Sequence, residues 1–335
     1  MPVPPPDSDS DDDDAFTKLE HTNWQRGVDV YHAGFGPLTS QAVPTLLDKA
    51  GFLVSSSSFL DDPNQRKVIE EESLLDVACG PGQVITAAVS KAKKMSESKS
   101  CCCSYTVTGL DFSCNFIQLA KKNLKLDHPD TTSSSSFNII NLVEGDAQDM
   151  SPQFEDESFT AVTSNFGILH LSTPDLFLQE SYRVLKPGGK LAFSAWLAPP
   201  DTEGFDLILS VVNDVGNPNV TMPDGPPFFR FSYPEEIKHS LKEAGFIDID
   251  ITIVNSMEWT NVHSSDQLYN ILLEGTARTR ELLRGQTKEE TKAIKEELQR
   301  RYDDKCSITV TGGTARSQRR HLRMPAVISS GRKPL

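Results

Sequence analysis

Residues 74–82 read LLDVACGPG and decide the fold. The first four residues predict a short buried strand, and Gly80, Pro81 and Gly82 predict a tight turn. The apolar spacing of Val84, Ile85 and the residues after them predicts a helix. A strand, a glycine turn and a helix in succession are typical of a doubly wound α/β sheet, where ligands bind at the carboxyl ends of the strands.

The same alternation continues on the carboxyl side of this stretch. Apolar runs predict strands at 105–110, 137–143, 159–164 and 190–196, with helical patterns between them. Strands separated by helices indicate a parallel sheet. Isoleucine at every second position of 247–253 predicts a further strand with one buried face.

Acidic residues follow three of these strands. Asp76 lies at the end of the first strand, Asp111 at the end of the second, and Asp146 just after the third. An acid at the position of Asp111 is placed to accept hydrogen bonds from two ribose hydroxyls, and Asp146 to accept one from an adenine amino group. Each acid alone is typical of a solvated loop or a helix cap. Their shared placement at one edge of the sheet predicts a nucleoside-binding site.

Together these features resemble the class I S-adenosylmethionine-dependent methyltransferases over about residues 20–260, within the small-molecule branch of ubiquinone/menaquinone-type enzymes. The resemblance implies a doubly wound, mostly parallel sheet of seven strands (a Rossmann-like α/β fold) with a helical lid. Its last strand would be antiparallel and lie around 326–328. Ala78 stands where many members have glycine.

The resemblance also implies the cofactor, S-adenosyl-L-methionine, and its contacts. The predicted cofactor-binding residues are Tyr31, Asp76, Ala78, Gly80, Gly82, Asp111, Phe112, Asp146, Ala147, Gln148 and Asn165. A dinucleotide fits less well, because Ile85 occupies the position where the dinucleotide fingerprint has glycine or alanine. Pro81 also removes a backbone N–H that a pyrophosphate would use. The positive sulfonium of S-adenosylmethionine is electrostatically compatible with the nearby acids Asp76, Asp111 and Asp146.

Two histidines are candidate general bases for a hydroxyl acceptor. His170 follows the fourth strand and is the first candidate, with a structural role at the start of the next helix as the alternative. His32 is the second candidate. It lies in an aromatic segment that folds over the cofactor in similar enzymes, and this segment is equally typical of a helix with an aromatic core face.

The predicted acceptor site combines aromatic residues with one cation. Trp196, Phe228, Phe229 and Arg230 are the candidate substrate-binding residues, and the segments 198–232 and 257–318 are the expected lid and acceptor-pocket elements. The run around Phe228 is equally consistent with an apolar plug between the sheet and its lid.

Charge and composition limit the classes of partner that we expect for this protein. The 335 residues carry a formal charge of −14, which disfavours nucleic acid as a partner. Residues 1–14 contain six aspartates and no base, and are predicted to be a disordered acidic tail before a methyltransferase domain spanning 15–335. No stretch is apolar enough for membrane insertion, and no Cys/His spacing suits a metal. We expect a cytoplasmic monomer or homodimer acting on a small-molecule acceptor. The alternative is a cofactor-binding protein, or a cyclase, on the same fold, and a nicotinamide oxidoreductase comes third.

Overall fold

A computed structural model describes residues 9–53, 72–97, 104–126, 138–306 and 320–335. Within these ranges seven strands form one sheet in the order β3-β2-β1-β4-β5-β9-β6, and two short strands pair separately. The strands are β1 (Glu72–Val77), β2 (Tyr105–Asp111), β3 (Asn138–Glu144), β4 (Phe159–Asn165), β5 (Leu185–Trp196), β6 (Ile247–Val254), β7 (Glu258–Trp259), β8 (Leu322–Arg323) and β9 (Ala326–Arg332).

Strand directions match the predicted sheet. β1 to β5 pair in parallel, and β9 is inserted antiparallel between β5 and β6. The central strand β1 is buried on both faces, with Leu74 and Leu75 fully buried, and each such side chain stabilises the fold by roughly 1.5–3 kcal/mol. The seven-stranded, mostly parallel fold and the strand near 326–328 are confirmed.

The edge strand β6 departs from its prediction in one respect. Ile249 and Ile251 pack partly against the core, but Ile247 and Ile253 are 40% and 46% exposed. The pairing of β6 with β9 shifts register between Ile247 and Asp250, and Asp248 has φ 51°, so the strict alternation of side chains is broken at the start of the strand.

Helices cover both faces of the sheet. They are α1 (Asp9–Arg26), α2 (Val28–Gly34), α3 (Gly36–Thr39), α4 (Val43–Lys49), α5 (Gln83–Glu97), α6 (Cys114–Asn123), α7 (Pro174–Val184), α8 (Glu203–Val215), α9 (Pro234–Glu243), α10 (Ser265–Gly275), α11 (Arg278–Arg284) and α12 (Lys288–Cys306). The connections β1–α5–β2, β2–α6–β3 and β4–α7–β5 are the crossovers of the doubly wound arrangement.

The two expected lid segments contain α8 and α10–α12. Helix α8 packs on α12, and α10 packs on both α2 and α12. Residues 307–318 of the second predicted lid segment lie outside the described residues.

The amino-terminal helix α1 begins at Asp9, inside the segment predicted to be a disordered acidic tail. Acidic residues at the start of a helix interact favourably with its dipole, so a run of aspartates is compatible with the first turns of α1. Residues 1–8 of the predicted tail lie outside the described residues.

Candidate active site

The turn after β1 places three residues with positive φ in five positions. They are Ala78 (φ 54°), Gly80 (φ 52°) and Gly82 (φ 82°). A Cβ built at Gly80 would meet only Phe116, at 4.0 Å, so the backbone there borders open space. A Cβ at Gly82 would lie 3.4 Å from Ala120 of α6, so this glycine lets α6 approach the turn.

Asp111 fastens this turn to the end of β2. Its Oδ2 accepts a hydrogen bond from Gly80 N–H at 2.8 Å, and its Oδ1 accepts one from Ser113 N–H at 2.9 Å. The carboxylate is buried, and burial raises the pKa of Asp111 to about 6. Two oxygens offer about four acceptor positions, so the carboxylate keeps capacity for a bound hydroxyl.

Asp76 lies beneath the turn and is 1% exposed. Its Oδ1 accepts a hydrogen bond from Thr163 Oγ1 at 3.0 Å, while its buried Oδ2 has no partner among the described residues. Burial raises the pKa of Asp76 to about 8. A carboxylate so poorly solvated gains strongly from a nearby positive charge.

The segment after β3 is more exposed. Asp146 is exposed, and its Oδ1 accepts a hydrogen bond from Gln148 N–H at 2.8 Å. The side-chain oxygen of Gln148 accepts bonds from Ser172 Oγ (3.1 Å) and Thr173 N–H (2.6 Å). The Gln148 side chain therefore holds the start of α7, while its backbone borders the turn.

A cavity of about 770 Å³, here called the turn cavity, lies between these elements and α1. It brings together most of the predicted cofactor residues. They are Tyr31, Ala78, Gly80, Asp111, Phe112, Asp146, Ala147, Gln148 and Asn165. Asp76 and Gly82, also predicted to bind the cofactor, support this cavity from behind rather than line it.

A second cavity of about 810 Å³, here called the aromatic cavity, adjoins the first. Aromatic rings dominate its lining: Trp24, Tyr31, Phe35, Phe166, Trp196, Phe205, Phe228 and Phe229. The predicted substrate residues Trp196, Phe228 and Phe229 are among them. Four described residues border both cavities, namely Trp24, Tyr31, Phe166 and His170.

The end of β4 shapes this junction. Phe166 has φ 60° and stacks on Trp196 with ring centroids 3.9 Å apart. Its N–H donates to Ser194 Oγ at 2.9 Å, and that hydroxyl donates to Asn165 Oδ1 at 2.8 Å. A bulky residue with positive φ is strained and persists where its surroundings hold it.

Tyr31 approaches the junction from α2. Its ring stacks on Phe35 and meets the edge of Trp24, and burial raises the pKa of Tyr31 to about 12. The phenol therefore stays neutral near pH 7, and it offers the junction a hydroxyl rather than a base.

His170 stands at the junction with a carboxylate behind it. Its Nδ1 is 3.1 Å from Oε2 of Glu20, a fully buried residue of α1. The ring also meets Trp24 edge-on, with centroids 4.7 Å apart. A histidine oriented by a carboxylate is the usual arrangement of a general base.

Two predicted residues are placed elsewhere. His32 is absent from the described lining of either cavity, because α2 directs Tyr31 inward instead. Arg230 is also absent from both linings. Its guanidinium pairs with Asp175 at 2.8 and 3.0 Å and with Glu236 at 2.6 Å, so it joins α7 to α9. The sequence could not foresee these partners, which lie on other elements.

The cation of the aromatic cavity is Arg278, at the start of α11. Its guanidinium lies 5.6 Å from the Phe228 ring centroid and 4.5 Å from that of Phe16. Nothing in its local sequence signals this position, because only the packing of α11 against α1 and residues 226–228 brings it there. Glu20 was missed for the same reason.

Comparison with known proteins agrees with this geometry. A family model described as a methyltransferase domain matches residues 75–193. A demethylmenaquinone methyltransferase of Staphylococcus aureus is 32% identical over 186 residues, which cover 53% of this chain and 68% of that protein.

Solved structures share the fold. The [4+2]-cyclase SpnF has a TM-score of 0.50 at 16% identity, with 100% of this chain and 98% of that chain covered. Phosphoethanolamine N-methyltransferase 2 of Haemonchus contortus, solved with S-adenosyl-L-methionine, has a TM-score of 0.48 at 18% identity, with 96% and 60% covered.

The chain therefore belongs to the class I S-adenosylmethionine-dependent methyltransferases, and it resembles the menaquinone-type members. It is an enzyme whose cofactor is S-adenosyl-L-methionine and whose substrate is a small molecule. The turn cavity fits that cofactor, because it combines the open backbone at Gly80 with the spare acceptor capacity of Asp111.

The described residues have two further properties. None of their helices is both long and apolar enough to cross a membrane. They also contain no cluster of three or more His, Cys, Asp or Glu side chains that suits a metal ion.

Proposed function

We propose that this enzyme methylates a hydroxyl oxygen of an aromatic secondary metabolite, with His170 as the general base. The observation that carries the proposal is the junction of the two cavities, where His170 faces an aromatic pocket on one side and the turn cavity on the other. An aromatic lining favours a flat aromatic acceptor, because ring pairs add about 0.5–1.5 kcal/mol beyond area burial.

The turn cavity supplies the binding groups for the cofactor. Asp111 accepts hydrogen bonds from the ribose, Asp146 and the backbone of Ala147 face the adenine, and the Asn165 backbone faces the methionine part. Asp76 supports the turn from beneath, and its raised pKa keeps it protonated near pH 7 in the free protein. When bound, S-adenosylmethionine supplies an electrophilic methyl group on a cationic sulfur. The protein then has to align the acceptor, and alignment alone can lower a barrier by about 7–11 kcal/mol.

The acceptor is held in the aromatic cavity by Trp196, Phe228 and Phe229. Trp196 is fixed by stacking on Phe166, and Phe228 and Phe229 meet edge-on with centroids 5.0 Å apart. The described parts of the two predicted lid segments, 198–232 and 257–306, act as the lid, since they carry much of this lining. Cytoplasmic location and a monomeric or dimeric state stay predictions.

The test is a methyl-transfer screen with isotopically labelled cofactor and mass-spectrometric product identification. The acceptors are hydroxylated aromatic metabolites, each paired with its counterpart lacking the hydroxyl. We expect transfer to oxygen, and a 10²–10⁴-fold lower rate in His170→Asn, the usual contribution of a general base.

The matched control is His239→Asn, an exposed histidine of α9 outside both cavity linings. It should keep the wild-type rate. Labelling of a ring carbon instead of the hydroxyl oxygen would refute O-methylation and indicate C-methylation. Tight cofactor binding without labelling of any extract component would favour the cyclase-like alternative.

A further inference from the structure

The buried carboxylate of Glu20 has three partners. Its Oε2 accepts a hydrogen bond from Trp24 Nε1 at 2.8 Å and contacts His170 Nδ1 at 3.1 Å, and its Oε1 accepts one from Arg278 Nε at 3.1 Å. The residue is 0% exposed. An isolated charge in such a place is very unfavourable, so the carboxylate depends on a counter-ion.

Arg278 is that counter-ion, and it is held rigidly. One terminal nitrogen donates to the Pro226 carbonyl at 2.6 Å and the other to the Leu169 carbonyl at 3.1 Å. The Phe16 and Phe228 rings lie 4.5 and 5.6 Å from its guanidinium carbon. Arginine stays protonated at every relevant pH, so Glu20 and Arg278 form a neutral pair.

The compensation of the Glu20 charge by Arg278 affects the His170 ring that Glu20 contacts. Because Arg278 already compensates the carboxylate, His170 need not be protonated to remain beside it. A neutral imidazole that donates Nδ1–H to Glu20 leaves the lone pair of Nε2 facing the cavity junction. The other titratable groups among the described residues that line the turn cavity are Tyr31, Asp111 and Asp146.

We infer that Glu20 and Arg278 are positioning residues for His170, with Glu20 fixing its tautomer and Arg278 fixing the Glu20 carboxylate. The inference rests on the proposed function, in which His170 accepts the acceptor's proton. It assigns a role in that step to helix α1, which lies far from the cofactor motifs in sequence.

The test uses the full-length protein labelled with ¹⁵N-histidine, free of cofactor and acceptor. Two-bond proton–nitrogen NMR correlations report which ring nitrogen carries the proton. We expect the Nδ1–H tautomer in the wild type and its loss in Glu20→Gln, where an amide competes for the same nitrogen. In Arg278→Met we expect the population of the Nδ1–H tautomer to fall as well, because the bond that fixes Glu20 Oε1 is lost. Arg278→Lys should restore it.

A different result is expected if Glu20 and Arg278 only hold helices α1 and α11 together. Asn23→Ala breaks another tie between these helices, the 3.0 Å bond from Asn23 Nδ2 to Glu281 Oε1, without touching His170. It should leave the tautomer unchanged. The inference is overturned if Asn23→Ala changes the tautomer population as much as Arg278→Met does. It is also overturned if the wild-type ring is the Nε2–H tautomer.

The NMR result is independent of methyl transfer, so the two proposals fail separately. The expected tautomer together with a fully active His170→Asn would refute the general base while leaving the positioning intact. The reverse combination, an inactive His170→Asn with an Nε2–H ring, would refute the positioning alone.

Discussion

Replacing Asp111 by asparagine separates cofactor binding from folding. In the wild type the carboxylate accepts hydrogen bonds from Gly80 N–H and Ser113 N–H, at 2.8 and 2.9 Å. The amide of Asp111→Asn has the same shape, but only its oxygen accepts, so one of these bonds is lost. Hydrogen bonds to a charged group are worth about 1.5–3 kcal/mol.

The lost bond is more than offset in the free protein. Burial raises the pKa of Asp111 from 3.8 to about 6, which means that ionising it in the folded state costs about 3 kcal/mol above pH 6. Asparagine removes this cost. The raised pKa already includes both hydrogen bonds to the carboxylate, so we expect Asp111→Asn to raise the free energy of unfolding at pH 8, by up to about 3 kcal/mol.

Cofactor binding receives no such compensation. A ribose hydroxyl donates a stronger hydrogen bond to a carboxylate than to an amide, so we expect the affinity for S-adenosylhomocysteine, whose sulfur is uncharged, to fall at pH 8 by about 1.5–3 kcal/mol, or roughly 10–150-fold. At pH 5 the wild-type Asp111 carboxyl is largely protonated, so the difference in affinity between the wild type and Asp111→Asn should be smaller. The control is Asp266→Asn, an exposed aspartate in the first turn of α10.

Calorimetric titration and urea unfolding measure the two quantities on the same samples. Affinity within threefold of the wild type at pH 8 would refute the role of Asp111 in binding. A loss of unfolding free energy at pH 8 would instead refute the offset of the lost bond by the relieved charge. A difference that stays constant from pH 5 to pH 8 would contradict the raised pKa.

Three other substitutions test neighbouring features. The pKa of Asp76 is raised to about 8, so the folded state holds its proton more tightly than the unfolded state does. The free energy of unfolding of the wild type therefore falls as pH rises from about 4 to 8. Asp76→Asn should reduce this fall in urea unfolding, and an unchanged slope would contradict the raised pKa of Asp76. Ala78→Gly should raise the unfolding free energy by up to about 1 kcal/mol, because a left-handed alanine is strained, and a decrease in the same assay would show that its methyl contact matters more. Phe228→Ala should raise the acceptor KM without changing cofactor affinity, and a matching loss of calorimetric affinity would place Phe228 in the turn cavity.

The glycine turn shows which parts of the fold can be predicted from the sequence alone. A strand, a turn and a helix are local structures, so the pattern of residues 74–82 was sufficient to predict them. The acids after successive strands were predictable for a related reason: parallel strands end at one edge of the sheet, so sequence order translates into proximity. The resemblance to known methyltransferases added the strand count and the antiparallel insertion.

Prediction of the acceptor side was less successful. The sequence predicted Phe228 and Phe229 as acceptor-binding residues, and both line the aromatic cavity. It chose Arg230 as the cation although Arg278 is the arginine that reaches the aromatic cavity. Neighbouring positions in a loop point in different directions, and the choice among them depends on partners such as Asp175, 55 positions away.

The sequence by itself determined the sheet, the cofactor-binding edge and the chemical class, because those depend on local patterns repeated in a fixed order. Only the tertiary structure decided how the junction of the two cavities is built. His170, Glu20 and Arg278 come from three segments separated by more than a hundred residues. Their contacts arise from the packing of α1 and α11 over the sheet, and no local pattern encodes a contact between such distant segments.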